Sequence, residues 1–520
     1  MPWPNLLVGT GLAIAGWLLP RQVAGAWSLR QPMAVLLDVA APGLGFALAL
    51  AATARPIFAG ALIFAAFGGF AFADWAKRAV LLEPIVFSDS AEVIELFRHP
   101  QLYLPFAGSG RVIAGGLVTF GVFAALMVSE PAAWEWSPWP AMIGLAAAGA
   151  LGWAVGGPWL GDCARWLRRL APSWDPFRDS ARLGPLAMQL VYGITARSER
   201  AARRLGAAAP PAPAAIPRRS KTLPPAAVVQ CESFFDARRL HPGIGRGLLP
   251  AFDACCRDGI QSGRLAVNGW GANTVRTEFA VLTGLDDAAL GLDRFNPYHA
   301  FARVPLASFV WRLRAAGYRT ICIHPFDRRF YRRDRIMPDL GFDAFLGEEA
   351  FPGAARTGLY IADVEVARLA VELLREEGPG TFLFAITMEN HGPWHGKGPA
   401  GLDLAPELAA LPEGRALGRF LRGLRGSDAM LGILAEALTA RGAPGVLAFY
   451  GDHLPSFPAA FAALGFRDRQ SDYVIWSPPA GEGRRRDLAA HELPAAIMAA
   501  MSAATIRRRD SALDFRVGAL

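Results

Sequence analysis

Tyr450-Gly451-Asp452-His453 closes an apolar run, 445–449, that reads as a buried strand. An adjacent Asp and His at a strand tip can hold a divalent cation, because a carboxylate and a neutral imidazole both donate to such ions. Matching groups stand far away in the chain: Glu232 in Gln230-Cys231-Glu232-Ser233 ends another apolar run, and Thr274 follows Asn273 behind the glycine-bearing segment 269–271. Together Glu232, Thr274, Asp452 and His453 make a ligand set that could turn a poorly acidic hydroxyl into a nucleophile. Taken singly each has a plainer use: Thr274 as a helix N-cap, Glu232 as a cap or loop charge, Asp452-His453 as a hydrogen-bonded pair. Oxygen-rich ligation with one imidazole suits Mn2+, Mg2+ or Zn2+ and does not choose among them.

Two further histidines also stand at predicted strand ends. His391 lies in Glu389-Asn390-His391-Gly392-Pro393-Trp394, where it could protonate a leaving group or donate to a phosphoryl oxygen. His324 precedes a segment with four arginines in six residues, Arg328 to Arg333, which could clamp an anion bidentately or could be a solvated charge run.

These residues need a scaffold that brings them together. Candidate strands at 226–231, 320–323, 381–388, 446–450 and 473–477 alternate with helical segments such as 361–377 and 416–439. That alternation predicts a mostly parallel sheet covered on both faces, with functional groups at the carboxyl ends of its strands. Glu232, His324, His391 and Asp452-His453 all fall at such ends.

The first third has a different texture. The chain has 520 residues, 53% hydrophobic and only 19% charged, so more than one domain is expected. Five apolar stretches, 5–20, 33–53, 56–75, 112–129 and 139–160, are each near the length of about 20 residues that crosses a bilayer. They are read as spans lacking charged residues, which argues against a channel or transporter. The predicted organisation is a transmembrane domain of five helices over 1–160, a basic interfacial helix and an Ala/Pro-rich linker over 161–225, and an α/β catalytic domain over 226–520. Arg165, Arg168, Arg169, Arg197, Arg200, Arg203 and Arg204 carry the basic stretch; Arg218, Arg219 and Lys221 fall in the linker.

The net charge of +8 reads as attraction to anionic lipid, not nucleic acid, since the arginines form no stripe with interleaved aromatics. Cys163, Cys231, Cys255, Cys256 and Cys322 show no zinc-type or disulfide spacing, and Cys231 and Cys322 read as core residues.

In order and type, Cys231-Glu232-Ser233, Asn273-Thr274 with Glu278-Phe279, Phe330-Tyr331-Arg332-Arg333-Asp334, Glu389-Asn390-His391 and Tyr450-Gly451-Asp452-His453 resemble the lipoteichoic acid synthase-like phosphoglycerol transferases of the sulfatase/alkaline phosphatase superfamily. The resemblance implies a sulfatase-like catalytic domain after five membrane helices. It implies that Glu232, Thr274, Asp452 and His453 hold one divalent metal, Mn2+ first with Mg2+ or Zn2+ as alternatives. It makes Thr274 the nucleophile, His391 a catalytic and substrate-binding group, and Arg333, His324 and Tyr331 substrate contacts. Tyr331 stands where the Gram-positive synthases carry a tryptophan, and Arg332 where asparagine is usual.

The implied activity moves glycerophosphate from phosphatidylglycerol to a surface or periplasmic glycan. The implied place is the bacterial inner membrane, with the catalytic domain on the periplasmic or extracellular side. Charge bias opposes that topology: Arg21, Arg30 and the basic stretch after the fifth span favour a cytoplasmic face. Phosphoethanolamine transfer is the nearest rival, although its enzymes usually carry a disulfide-bonded soluble domain. A sulfatase-like hydrolase is another, but no C/S-x-P-x-R signature surrounds Thr274.

Overall fold

The computed structural model describes residues 3–28, 31–208, 222–394, 401–442, 444–479 and 481–517, in two compact units, Met1–Ala202 and Arg203–Leu520. Arg218, Arg219 and Lys221 of the expected linker lie outside the described residues.

In the first unit, five helices are long and apolar enough to cross a membrane: Trp3–Ala24, Pro32–Thr53, Pro56–Leu81, Ser109–Ser129 and Trp139–Gly156. The first and third pack along each other at very short range. Glycines make this possible, since a Cβ on Gly9 would overlap the Pro56 carbonyl and one on Gly60 would overlap the Gly9 backbone. Without a hydrophobic drive between helices in lipid, such close backbone approach is the main source of attraction.

The expectation of uncharged spans is corrected here. Asp38 and Asp74 lie inside the second and third of these helices and are buried. Both are consumed by the architecture. Asp38 accepts from Arg21 Nη1 at 2.8 Å and Trp17 Nε1 at 2.8 Å. Its other oxygen accepts from the backbone N–H groups of Leu186 and Ala187 at 2.9 and 3.0 Å, which caps the helix Pro185–Ala207. Asp74 accepts from Arg78 Nε and from the Ile85 backbone N–H, each at 2.7 Å.

The basic stretch is not one interfacial helix. It divides into Leu160–Leu167, a 3-10 turn, Pro176–Leu183 and Pro185–Ala207, broken where Ala171 adopts a positive φ and at Gly184. Arg203 and Arg204, assigned above to lipid, serve the second unit instead: Arg203 pairs with Asp293 at 2.9 Å and Arg204 donates to the Ala300 carbonyl at 2.7 Å.

The second unit is built on a nine-stranded sheet of β1 (Ala226–Cys231), β2 (Gln261–Ala266), β3 (Arg319–Ile323), β4 (Ala344–Leu346), β7 (Thr381–Ile386), β8 (Val446–Gly451), β9 (Ser471–Trp476), β10 (Arg484–Arg485) and β11 (Leu488–Ala489). A separate two-stranded hairpin consists of β5 (Arg356–Thr357) and β6 (Tyr360–Ile361). The order β10-β2-β9-β8-β1-β7-β3-β4 is parallel except at β9, which runs antiparallel to both β8 and β2.

The central strands are buried on both faces, which explains why they read as continuous apolar runs. Ala227, Val229 and Cys231 of β1 face one core, with Val366 and Phe420 from the helices Asp363–Glu377 and Gly414–Ala440. Ala226 and Val228 face the other, with Phe279 and Ile497 from the helices Thr274–Thr283 and Leu493–Val517.

Candidate active site

Register brings the first ligands together. Parallel β1 and β8 pair Val229 with Phe449, Gln230 with Tyr450 and Cys231 with Gly451. Glu232 and Asp452, the next residue of each strand, therefore leave the sheet side by side. The turn tolerates nothing larger than glycine at 451, where a Cβ would collide with the Phe234 carbonyl. Ligand atoms of Glu232, Asp452 and His453 all lie within 4.8 Å of one another, and all three residues are buried.

The hydrogen bonds around this cluster set its chemistry. His453 Nδ1 stands 3.0 Å from the Leu454 carbonyl, which can only accept, so Nδ1 carries the proton and Nε2 is left as the donor atom. Nε2 lies 3.5 Å from Glu232 Oε1, 3.4 Å from Asp452 Oδ2 and 3.3 Å from the Thr274 hydroxyl oxygen. Asp452 Oδ1 is satisfied by the backbone N–H groups of Ser233 and His453, each at 2.8 Å. Its Oδ2 is buried with no hydrogen-bond donor among the described residues. Burial, and then the neighbouring Glu232, push the Asp452 carboxyl up to about 7. Burial works against a charged His453, yet Asp452 and Glu232 outweigh it and hold that imidazole above its ordinary range. An orphaned carboxylate oxygen, a second carboxylate and an imidazole lone pair turned to one point fit a divalent cation.

Thr274 is the first residue of its helix, not the cap: the N-cap is Asn273, whose side chain makes no capping bond. The Thr274 hydroxyl thus points at the cluster from a helix N-terminus, where the backbone dipole favours negative charge. The preceding loop is tied to the same anchor, since the Gly271 N–H donates to the Leu454 carbonyl at 3.0 Å.

Beneath the site runs a second buried network. Glu278, four residues into the Thr274 helix, accepts from Arg333 Nε at 2.9 Å and Nη2 at 2.8 Å, from Tyr298 at 2.5 Å and from Gln230 Nε2 at 2.6 Å. Gln230 in turn accepts from Tyr450 at 2.5 Å. The bidentate fork of Arg333 is therefore spent on Glu278. Arg333 Nη1 faces His324 Nε2 at 3.2 Å, and burial, followed by Arg333, holds His324 well below its usual range, so it is a neutral acceptor. Of the arginines in 328–333, Arg328 pairs with Glu349 and Arg329 with Asp327 at the surface, as the solvated-charge-run alternative has it.

Strained backbone flanks these groups. Ser233, Asn273, Tyr331 and Arg332 have positive φ of 54°, 69°, 55° and 58°, and they adjoin Glu232, Thr274 and Arg333. Non-glycine residues accept such conformations at a cost of about 1–3 kcal/mol each, only where the surroundings impose them. The Tyr331 ring lies 5.5 Å from the Arg333 guanidinium carbon, inside cation–π range.

Behind the β7 loop Glu389, already noted beside His391, is paired with an acid that the sequence did not single out, Asp363. Asp363 accepts from the Ser427 hydroxyl at 2.7 Å, and its backbone N–H donates to Glu389 Oε2 at 2.6 Å. Burial, and then Glu389, push the Asp363 carboxyl well up. The native state therefore holds a proton that the unfolded chain releases above about pH 4, and stability falls as pH rises from there through the folded value. An Asp363→Asn variant should lose that slope, up to about 1.4 kcal/mol per pH unit. Denaturant midpoints of both proteins at several pH values between about 5 and 8 check it.

Residues 228–503 match the model of the sulfatase family. The capsular polysaccharide biosynthesis protein RkpI of Rhizobium meliloti is 33% identical over 436 residues, 81% of this chain and 77% of that protein. A putative cyclic beta-1,2-glucan modification protein of the same organism is 30% identical over 289 residues, 52% of this chain and 44% of that one. Among solved structures, the integral membrane lipooligosaccharide phosphoethanolamine transferase A of Neisseria meningitidis shares the fold over 95% of both chains, with a TM-score of 0.52 and 13% identity. A match over more than half of the chain makes this protein a member of the sulfatase family.

Proposed function

We propose that the protein transfers glycerophosphate from phosphatidylglycerol to a hydroxyl of a surface or periplasmic glycan, through a covalent intermediate on Thr274. The observation that carries this reading is the Thr274 hydroxyl, set at a helix N-terminus 3.3 Å from His453 Nε2 and beside Glu232 and Asp452. Glu232, Asp452, His453 and the Thr274 oxygen would hold one divalent cation, Mn2+ in the first instance. When bound, it supplies positive charge that acidifies a hydroxyl and neutralises a phosphoryl group.

In loading, the Thr274 oxygen attacks phosphorus, the bond to diacylglycerol breaks, and diacylglycerol leaves with the proton. Helix N–H groups and Arg333, whose Nη1 has a second hydrogen besides the one turned to His324, would favour the phosphoryl charge, and such electrostatic stabilisation contributes most of the acceleration in phosphoryl transfer. In discharge, an acceptor hydroxyl attacks the same phosphorus and passes its proton to His391, and the bond to Thr274 breaks. The five apolar helices keep the catalytic unit beside its lipid donor, raising the donor's effective concentration.

The five candidate spans among the described residues are odd in number, so the start of the first span and the catalytic unit would lie on opposite sides of the bilayer; the catalytic unit is assigned to the periplasmic side of the inner membrane because lipid donor and glycan acceptor would meet there. Arg21, Arg30 and the basic stretch after the fifth span oppose that by charge count; Arg30 lies outside the described residues, Arg21 is paired with Asp38, and within the stretch Arg168 is paired with Glu199 and Arg203 with Asp293. Among the described residues all five cysteines are free, which favours phosphoglycerol over the disulfide-bonded phosphoethanolamine enzymes.

Incubating the full chain with phosphatidylglycerol or phosphatidylethanolamine vesicles, followed by acid quench and mass spectrometry of the Thr274 peptide, tests the reading. The expected adduct is glycerophosphate. A phosphoethanolamine adduct would replace the donor, and no adduct on Thr274 would remove the covalent step.

A further inference from the structure

Resting on the transfer reading above, we infer that Tyr360 is the positioning residue for His391, and that the β5–β6 hairpin carrying it serves the discharge half of the reaction. Nothing in the sequence marks Tyr360: it sits in a two-residue strand whose partner residue is Thr357. Yet its side chain is buried at 6% exposure, and its hydroxyl oxygen lies 3.3 Å from His391 Nδ1 and 3.4 Å from the Gly392 carbonyl oxygen. The two rings are 5.5 Å apart at 57°.

Donor and acceptor roles follow from what each atom can do. The Gly392 carbonyl only accepts, and His391 Nδ1 is 2.6 Å from it, so Nδ1 carries the hydrogen and Nε2 is the basic nitrogen. The Tyr360 hydroxyl donates to the same carbonyl, which turns its oxygen lone pairs toward Nδ1–H. Burial, and then Glu232, hold the phenol above its ordinary range, so it remains a donor throughout. When Nε2 takes a proton, the imidazolium keeps an Nδ1–H shared between two oxygens. The arrangement does for His391 what an orienting carboxylate does in other acid–base pairs, with a neutral group.

The helix that follows the hairpin grips the same loop a second time. Immediately after β6, the Asp363 N–H donates to Glu389 Oε2 at 2.6 Å, two residues before His391. Tyr360 and Asp363 thus hold Glu389 to Gly392 from one side. Thr274 meets a different histidine, His453, whose neighbours are Glu232 and Asp452.

In the discharge step the acceptor oxygen bonds to phosphorus as the Thr274 oxygen departs. The acceptor proton moves to His391 Nε2, His391 returns it to solvent, and Thr274 regains one proton. Tyr360→Phe keeps the ring and removes only the hydroxyl. Rapid-quench kinetics of the full chain in lipid nanodiscs, with labelled phosphatidylglycerol as donor and glycerol or water as acceptor probe, separates the two halves.

The expected result is a Thr274 adduct formed at the wild-type rate and discharged about tenfold more slowly, with no further effect in a His391→Ala background. Discharge at the wild-type rate, or loading slowed by the same factor as discharge, overturns the inference while leaving the transfer reading intact. Absence of any Thr274 adduct in the wild-type protein overturns both.

Discussion

An Asp452→Asn variant should lose retained divalent metal and about 10²–10³-fold of the transfer rate, yet unfold at a higher temperature than the wild type when both are metal-free. The two halves of that expectation have one cause. Asp452 and Glu232 are buried acids with no arginine or lysine paired to them among the described residues; the cationic group they meet is His453. With the Asp452 carboxyl raised to about 7, holding it ionised above that pH costs up to about 4 kcal/mol. Asparagine removes the charge and keeps an oxygen for the N–H groups of Ser233 and His453. Added metal reverses the order, because a ligand at 100 times its Kd stabilises the wild type by about 2.7 kcal/mol and the variant by far less. Metal analysis after dialysis, melting curves with and without Mn2+, and Thr274 loading would each report. A variant that retains the wild-type metal content removes Asp452 from the ligand set.

The parts of the molecule that were legible in the sequence share a physical reason. β1, β3, β7 and β8 are buried on both faces, so each appears as an uninterrupted apolar run, and the chemical residues stand where those runs stop. β2 was missed: Gln261–Ala266 is only half-buried and its side chains are mixed. Its place is fixed by its neighbour β9, not by its own pattern.

Glu278, Tyr360 and Asp363 were invisible as site residues for a related reason. Each takes its meaning from a partner distant in the chain: Arg333 for Glu278, His391 for Tyr360, Ser427 for Asp363. A glutamate on a helix or a tyrosine in a short hairpin looks the same with or without such a partner. Asp38 and Asp74 were misjudged differently, because a hydropathy average hides a single acid among twenty apolar neighbours.

Substituting Glu278 should be among the most damaging single changes in the second unit, although it holds no cation and meets no substrate. Glu278→Gln leaves Arg333, at 1% exposure, with a charge and no counter-charge in contact. It also presents an amide N–H to donors that now point at a carboxylate, from Arg333, Tyr298 or Gln230. Leaving half of a buried ion pair costs about 3–5 kcal/mol, a large share of the roughly 5–15 kcal/mol by which a domain is stable. Arg333→Met alone should be milder, because Glu278 keeps Tyr298 and Gln230 as donors. Combining Glu278→Gln with Arg333→Met should therefore recover most of the stability that Glu278→Gln loses, and the shortfall from additivity measures the pair. Denaturation midpoints of the four proteins give the cycle. Additive losses would mean that Arg333 is held by the backbone strain at Tyr331 and Arg332 and not by Glu278, and the route by which the Thr274 helix orients Arg333 toward the site would fall with it.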